Sequence, residues 1–284
     1  MRLVERPLTR PLAELLAQPP GDSLRLYWLG QAGFVLDGEG RRVVIDPYLS
    51  DSLAEKYRGK KFPHLRMTPA PLHPAEIRHV DLVLATHGHS DHLDPGTLPT
   101  LLAANPAALL VAPLAIRSLA LERAAVPEQR LVCIDAGETV TLSGLHLSAT
   151  RAAHETFERD PQGHYRFLGL AVRLAEATVF HSGDTIPFAG QVEEVRALAP
   201  DIALLPVNGR DALRTENGIP GNMTLSEATA LARATGVGAM IAHHFDLFAF
   251  NTVARSDIEA ACEPDGDLQI LAATPMIAYL AQVV

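Results

Sequence analysis

The chain has 284 residues, 48% of them hydrophobic and 20% charged, with a formal net charge of -9 at pH 7. That is ample apolar material for a packed core, and the acidic balance argues against a broad basic face for nucleic acid. No stretch approaches the roughly 20 apolar residues of a membrane span, the N-terminus lacks the apolar core of a leader, and two cysteines, Cys133 and Cys262, cannot build a disulfide framework. These features predict a cytoplasmic protein without a membrane or nucleic-acid partner. A homo-oligomer is compatible with them.

In chain order, the first half predicts a helix near 11–18, then strands at 24–29, 33–37, 42–46 and 81–86. A helix at 97–104, a strand at 108–112, a helix at 114–124 and a strand at 130–134 follow. The second half predicts a hairpin of strands 139–142 and 145–152 turning at Ser143-Gly144, and a second strand pair at 167–174 and 177–182. Then come a helix near 190–198, a strand at 201–207, a helix at 225–235, a strand at 238–243, a helix at 255–262, and strands near 268–272 and 276–280. Thr224 and Glu227 have capping-box spacing at the start of the helix at 225. Strands mixed with surface helices in both halves predict an α+β fold of two packed sheets with helices outside. The whole, 1–284, reads as one domain of two pseudo-halves, about 1–137 and 138–284. The irregular stretch 47–73 is long for a compact domain and carries Lys56, Arg58, Lys60, Lys61 and Arg66. It reads equally as a solvated loop or as a substrate-facing lid.

The segment THGHSDH, 86–92, places His87, His89, Asp91 and His92 directly after an apolar strand. Buried imidazoles and carboxylates must be paired or must coordinate. The i, i+2 spacing is that of a strand end or loop rather than a helix, so His87 and His89 can reach one metal and Asp91 and His92 a second. Gly88 and Ser90 let the backbone bend close, and Asp94-Pro95 resembles the start of the next helix. His154, Asp184 and His244 each follow an apolar strand and complete a set of five His and two Asp, nitrogen and oxygen donors suited to Zn, Mn or Fe. Adjacent His243 and His244 point to opposite faces of a strand, so only one faces the metals.

THGHSDH resembles the H-x-H-x-D-H signature of the metallo-β-lactamase superfamily. Asp46 in VVIDP, His154, Asp184 in HSGDT and His244 are similar to its remaining landmarks, in order. The resemblance runs from Leu24 to Asp246. It implies a four-layer αββα sandwich and a hydrolase in which two divalent metals, Zn or Mn ahead of Fe, share a bridging hydroxide. The metal ligands would be His87, His89, Asp91, His92, His154, Asp184 and His244. Asp184 would bridge, Asp91 would double as proton carrier, and Asp46, His181 and His243 would support the ligands. WLGQAGFVL (28–36), the run 65–94, VFHSGDT (179–185), NMT (222–224) and HFDLF (244–248) are closer still to the L-ascorbate-6-phosphate lactonase branch, and similar residues occur in other metal-dependent hydrolases of that branch. That likeness implies an anionic small molecule, a lactone or ester such as a phosphorylated sugar lactone. PVNGR (206–210) with GNMT suggests an anion site in which Asn208 and Arg210 assist. A phosphodiesterase of the same fold, a di-iron oxidoreductase and a non-catalytic metal-binding protein are the alternatives. His89, where di-iron relatives carry Glu, speaks against the oxidoreductase.

Overall fold

The computed structural model describes residues 1–262 and 266–282; residues 263–265 and 283–284, inside the predicted second half, lie outside the described ones. Eight strands form one sheet, in the order Arg2–Pro7, Ile277–Gln282, Arg25–Gly30, Gly33–Gly38, Arg41–Ile45, Leu82–Leu84, Leu109–Pro113 and Leu131–Ile134. Seven form the other: Gln269–Ala272, Ala239–His243, Ile202–Pro206, Ala177–His181, Leu168–Leu174, Leu145–Arg151 and Thr139–Leu142. Each sheet is mixed. Arg41–Ile45 through Leu131–Ile134 run parallel, as do Ala177–His181 through Gln269–Ala272.

Alternation along the strands builds the layers. In the first sheet Trp28, Phe34, Leu36, Ile45, Leu82 and Leu84 turn inward against Leu170, Val179, Leu204 and Ile241 of the second. Their neighbours Tyr27, Val35, Val44 and Val83 turn outward. There they meet the apolar sides of the helices Leu12–Leu16, Leu98–Ala104 and Arg117–Ala124. Strands buried on both faces read as continuous apolar runs, which is why the sequence betrays them. The helices Leu225–Thr235, Gln191–Ala197 and Arg255–Ala260 pack on the second sheet. The order is therefore helix, sheet, sheet, helix.

The strand Ile277–Gln282 lies in the first sheet, paired with Arg2–Pro7 on one side and Arg25–Gly30 on the other, so both ends of the chain contribute to that sheet. Two expectations are corrected. Asp94 does not cap the next helix, which starts four residues later, at Leu98, with Thr97 as its N-cap. Its carboxylate instead accepts from Ser50 Oγ and Ser52 Oγ at 2.7 Å each and from Thr97 Oγ1 at 2.5 Å. The stretch 47–73 is not wholly irregular: it contains the short helix Ser52–Lys56. It is fastened to the segment after His244 by Met67 N–H to Leu247 O, 2.8 Å.

Candidate metal centre

Parallel strands present their carboxyl ends on one side, where α/β sheets bind ligands. Asp46 follows Arg41–Ile45, the 87–92 loop follows Leu82–Leu84, Asp184 follows Ala177–His181, and His244 follows Ala239–His243. The loop 87–92 is held from three sides. Asp46, fully buried, accepts from Thr86 N–H at 2.8 Å, Thr86 Oγ1 at 2.6 Å and His92 Nδ1 at 2.7 Å. Arg123 donates to Gly88 O at 2.6 Å and Leu93 O at 3.3 Å, spanning the loop's ends. Phe167 stacks on the His87 ring at 4.7 Å. In HSGD, Gly183 takes φ +61°, and a Cβ there would meet Leu168 O at 2.7 Å and Thr86 Cβ at 2.9 Å, so only glycine brings Asp184 this close.

All seven predicted ligands converge. Asp184 Oδ1 lies 3.3 Å from His92 Nε2, and Oδ2 lies 3.2 Å from His244 Nε2 and 3.9 Å from His154 Nε2. Asp91 Oδ2 is 3.8 Å from both His92 Nε2 and His244 Nε2. Three overlapping trios have their donor atoms within 4.8 Å of one another: His87, His92 and Asp184; His89, His154 and Asp184; Asp91, His92 and His244. His87 and His89 fall in different trios, and their rings lie 4.7 Å apart.

The electrostatics are those of a donor set compressed together. Burial, then His92 and His89, push His87 well below the ordinary histidine value, and burial pushes His154 down to about 4. Burial opposes the charge on His92, but Asp184, Asp46 and Asp91 outweigh it and raise its value strongly. Burial likewise opposes ionisation of Asp184, and His244 and His92 overcome it, holding the carboxyl far below its usual range. His87 Nε2, His92 Nε2 and Asp184 Oδ1 are buried without a hydrogen-bond partner. Such orphans are costly unless something else satisfies them. Imidazole nitrogens and carboxylate oxygens at this spacing fit a divalent cation, which would take the place of the shared protons.

The three supporting residues behave differently. Asp46 touches His92, as above. His181 faces the backbone: Nε2 donates to Ala32 O at 2.8 Å, and Nδ1 accepts from Gly183 N–H at 3.0 Å, fixing the turn before Asp184. His243 points into the core, with its ring edge-on to Phe34 at 5.6 Å, and makes no hydrogen bond to the cluster. His244 escapes strand alternation because its backbone turns left-handed there, at φ 66°.

The cluster floors a cavity of about 530 Å³. The expected anion binders do not line it. Arg210 is taken by Glu227, with two bonds of 2.7 Å, and Asn208 is buried, donating to Asn251 Oδ1 and accepting from Asn222. The wall comes instead from Lys56, Tyr57, Lys60, Lys61, Phe62 and His64 of the 47–73 stretch, with Asn217–Pro220 opposite. Lys61 Nζ reaches Asn217 Oδ1 at 2.9 Å, joining the two walls. His64, which has no motif around it, is fixed by stacking on Tyr57 of its own stretch at 4.2 Å and by standing edge-on to Phe250, distant in sequence, at 4.8 Å. Gln31 and Arg123 are further site residues without a motif of their own, though WLGQAGFVL contains the first.

A histidine–aspartate cluster at the strand ends of a two-sheet sandwich places the molecule in the metallo-β-lactamase class. The chain belongs to the β-lactamase superfamily: the family model described as "Beta-lactamase superfamily domain" matches residues 41–245. A UPF0173 metal-dependent hydrolase of Saccharolobus solfataricus is 31% identical over 191 residues, 66% of this chain and 72% of that relative. Among solved structures, an isothiocyanate hydrolase from Delia radicum gut bacteria superposes with a TM-score of 0.67 at 20% identity, over 87% of this chain and 95% of that one. The di-iron β-hydroxylase CmlA of Streptomyces venezuelae superposes at 0.64 with 16% identity, over 93% of this chain and 55% of that one. These two likenesses concern the fold alone.

Proposed function

We propose that the chain is a binuclear metal-dependent hydrolase that opens a lactone or ester of an anionic small molecule, a phosphorylated sugar lactone being the leading candidate. The observation that carries this reading is Asp184, whose two oxygens are shared among His92, His154 and His244. His87, His89 and His154 would hold one cation, Asp91, His92 and His244 the other, and Asp184 would face both. Divalent ions bound there, Zn or Mn, would supply a water acidified from about 16 toward roughly 7 and polarise the scissile group. Asp91, partly open to the cavity, is placed to take up a proton and return it to the leaving group. Lys56, Lys60 and Lys61 at the mouth would draw in and orient the anion, and the stretch 47–73 thus acts as a fixed wall. No helix among the described residues is long and apolar enough to cross a membrane. With two free thiols, the reading is of a cytoplasmic enzyme.

The test is to purify the protein without chelator, quantify its metals, and compare sugar-phosphate lactones with bis-p-nitrophenyl phosphate. We expect two equivalents of metal and faster turnover of the lactones. Asp184→Asn is expected to lose both metal and turnover; full turnover with two metals retained sinks the binuclear reading. Preference for the phosphodiester overturns the lactone assignment alone.

A further inference from the structure

Gln31 stands at the end of the strand Arg25–Gly30, within WLGQAGFVL, fully buried and with a left-handed backbone of φ 50°. Glutamine rarely adopts that conformation without compensation. Here Trp28 Nε1 and His244 N–H both donate to the Gln31 carbonyl, each at 3.0 Å. The side chain enters the cluster. Nε2 donates to Asp91 Oδ2 at 2.9 Å and lies 3.2 Å from His244 Nε2. Oε1 is buried with no partner.

We propose that Gln31 is a positioning residue for the second cation, the one assigned above to Asp91, His92 and His244. This rests on the binuclear reading. A primary amide has two N–H donors, and Gln31 directs them at lone pairs that a cation would take. A carboxylate oxygen has two acceptor sites, so Asp91 Oδ2 can keep the Gln31 bond while it ligates. The imidazole has only one lone pair at Nε2, so its contact with Gln31 gives way to the cation. The amide thus fixes the rotation of Asp91, while the Gln31 carbonyl fixes the backbone that presents His244. One residue couples two ligands that lie far apart in the chain. The unpaired Oε1 offers an acceptor to a donor that arrives with solvent or substrate.

Gln31→Asn tests this, because asparagine tolerates the left-handed backbone but is one methylene too short to reach Asp91. Zinc(II) and cobalt(II) are titrated into chelator-treated wild type and variant by calorimetry, with the cobalt absorption spectrum recorded at each equivalent. We expect the first equivalent to bind unchanged and the second to bind 10–100-fold more weakly, the usual range for a group that orients a ligand. The second equivalent's cobalt bands should shift, at an unchanged melting temperature of the metal-free protein. Two equivalents bound identically by both proteins, with identical spectra, overturn the role of Gln31. Wild type that takes up a single equivalent counts against the binuclear reading itself. A crystal structure of the zinc-bound wild type gives a check free of any variant: the amide should remain within hydrogen-bond distance of Asp91, and an amide turned away overturns the proposal.

Discussion

A carboxylate with no freedom and three donors is a control point, and Asp46 is one. It sits at φ 44° with no exposure and takes its bonds from Thr86 N–H, Thr86 Oγ1 and His92 Nδ1. Because Nδ1–H of His92 is committed to Asp46, its Nε2 is the nitrogen that faces Asp184 and Asp91, where a bound cation would take its lone pair. Asp46→Asn keeps the shape but can offer an N–H to His92 and so favour the wrong tautomer. We expect it to fold and to bind metal 10–100-fold more weakly, measured by chelator competition; unchanged affinity would show that Asp46 does not set the tautomer. Asp46→Ala orphans three donors and should cost about 3 kcal/mol or more in denaturant unfolding. At this scale the sequence was most informative where chemistry is local. The 87–92 segment contributes four of the converging side chains from one loop, so its residue types and spacing were enough to suggest it. Arg210 was misread because its partner, Glu227, lies 17 residues on and claims the guanidinium outright.

That pair belongs to the helix Leu225–Thr235, whose start shows how an element is specified. Thr224 Oγ1 accepts from Glu227 N–H at 3.3 Å, and Glu227 accepts from Thr224 N–H at 2.9 Å, the capping box its spacing predicts. Gly236 at φ 80° ends the helix. Hydrogen bonding from Arg210 against the pull of burial, with help from Thr224, holds the Glu227 carboxyl down at about 2. Its folded value is below the unfolded one of 4.5. The contribution is therefore present above pH 4.5 and is lost as the pH falls through 2. Glu227→Gln retains the cap but loses the ion pair. With Arg210 about a third exposed, solvent screening limits the expected loss to about 0.5–1 kcal/mol at pH 7. Melting curves of the two proteins should converge between pH 4.5 and 2, and a gap that persists at pH 2 would assign the loss to the cap instead. Elements with caps or continuous apolar runs were legible for this local reason. Arg2–Pro7 was not: only Leu3 of its residues is buried, and its strand character comes from pairing with Ile277–Gln282, at the other end of the chain. The short helices Ser52–Lys56 and Ala212–Glu216 span five residues each, too few for a periodic signal.

Across the whole molecule, the pseudo-halves share both a sheet and a core. Ile277–Gln282 inserts between Arg2–Pro7 and Arg25–Gly30, and Tyr279 is fully buried there, its hydroxyl donating to Ala272 O at 3.1 Å. The inward faces of the two sheets form one cluster, and the candidate metal centre draws on Asp46 and the 87–92 loop at one sheet and on His154, Asp184 and His244 at the other. Cutting at 137/138 would bare at least Phe34, Leu36 and Ile45 on one piece and Leu170, Val179 and Leu204 on the other. Each such side chain gains about 1.5–3 kcal/mol from burial, while a domain's net stability is roughly 5–15 kcal/mol. Neither piece can bear that loss, and the first would also miss a strand from the middle of its sheet. We therefore expect 1–137 and 138–284, expressed separately, to be insoluble or to lack cooperative melting. Co-expression should recover a complex that binds metal only when both pieces are present. A truncation after residue 275, which removes the strand Ile277–Gln282 and the few residues around it, should leave Arg2–Pro7 without its strand partner and abolish cooperative melting of the full chain. A sharp thermal transition in isolated 138–284 would show that the second sheet is a self-sufficient unit and that the shared strand serves only to dock it.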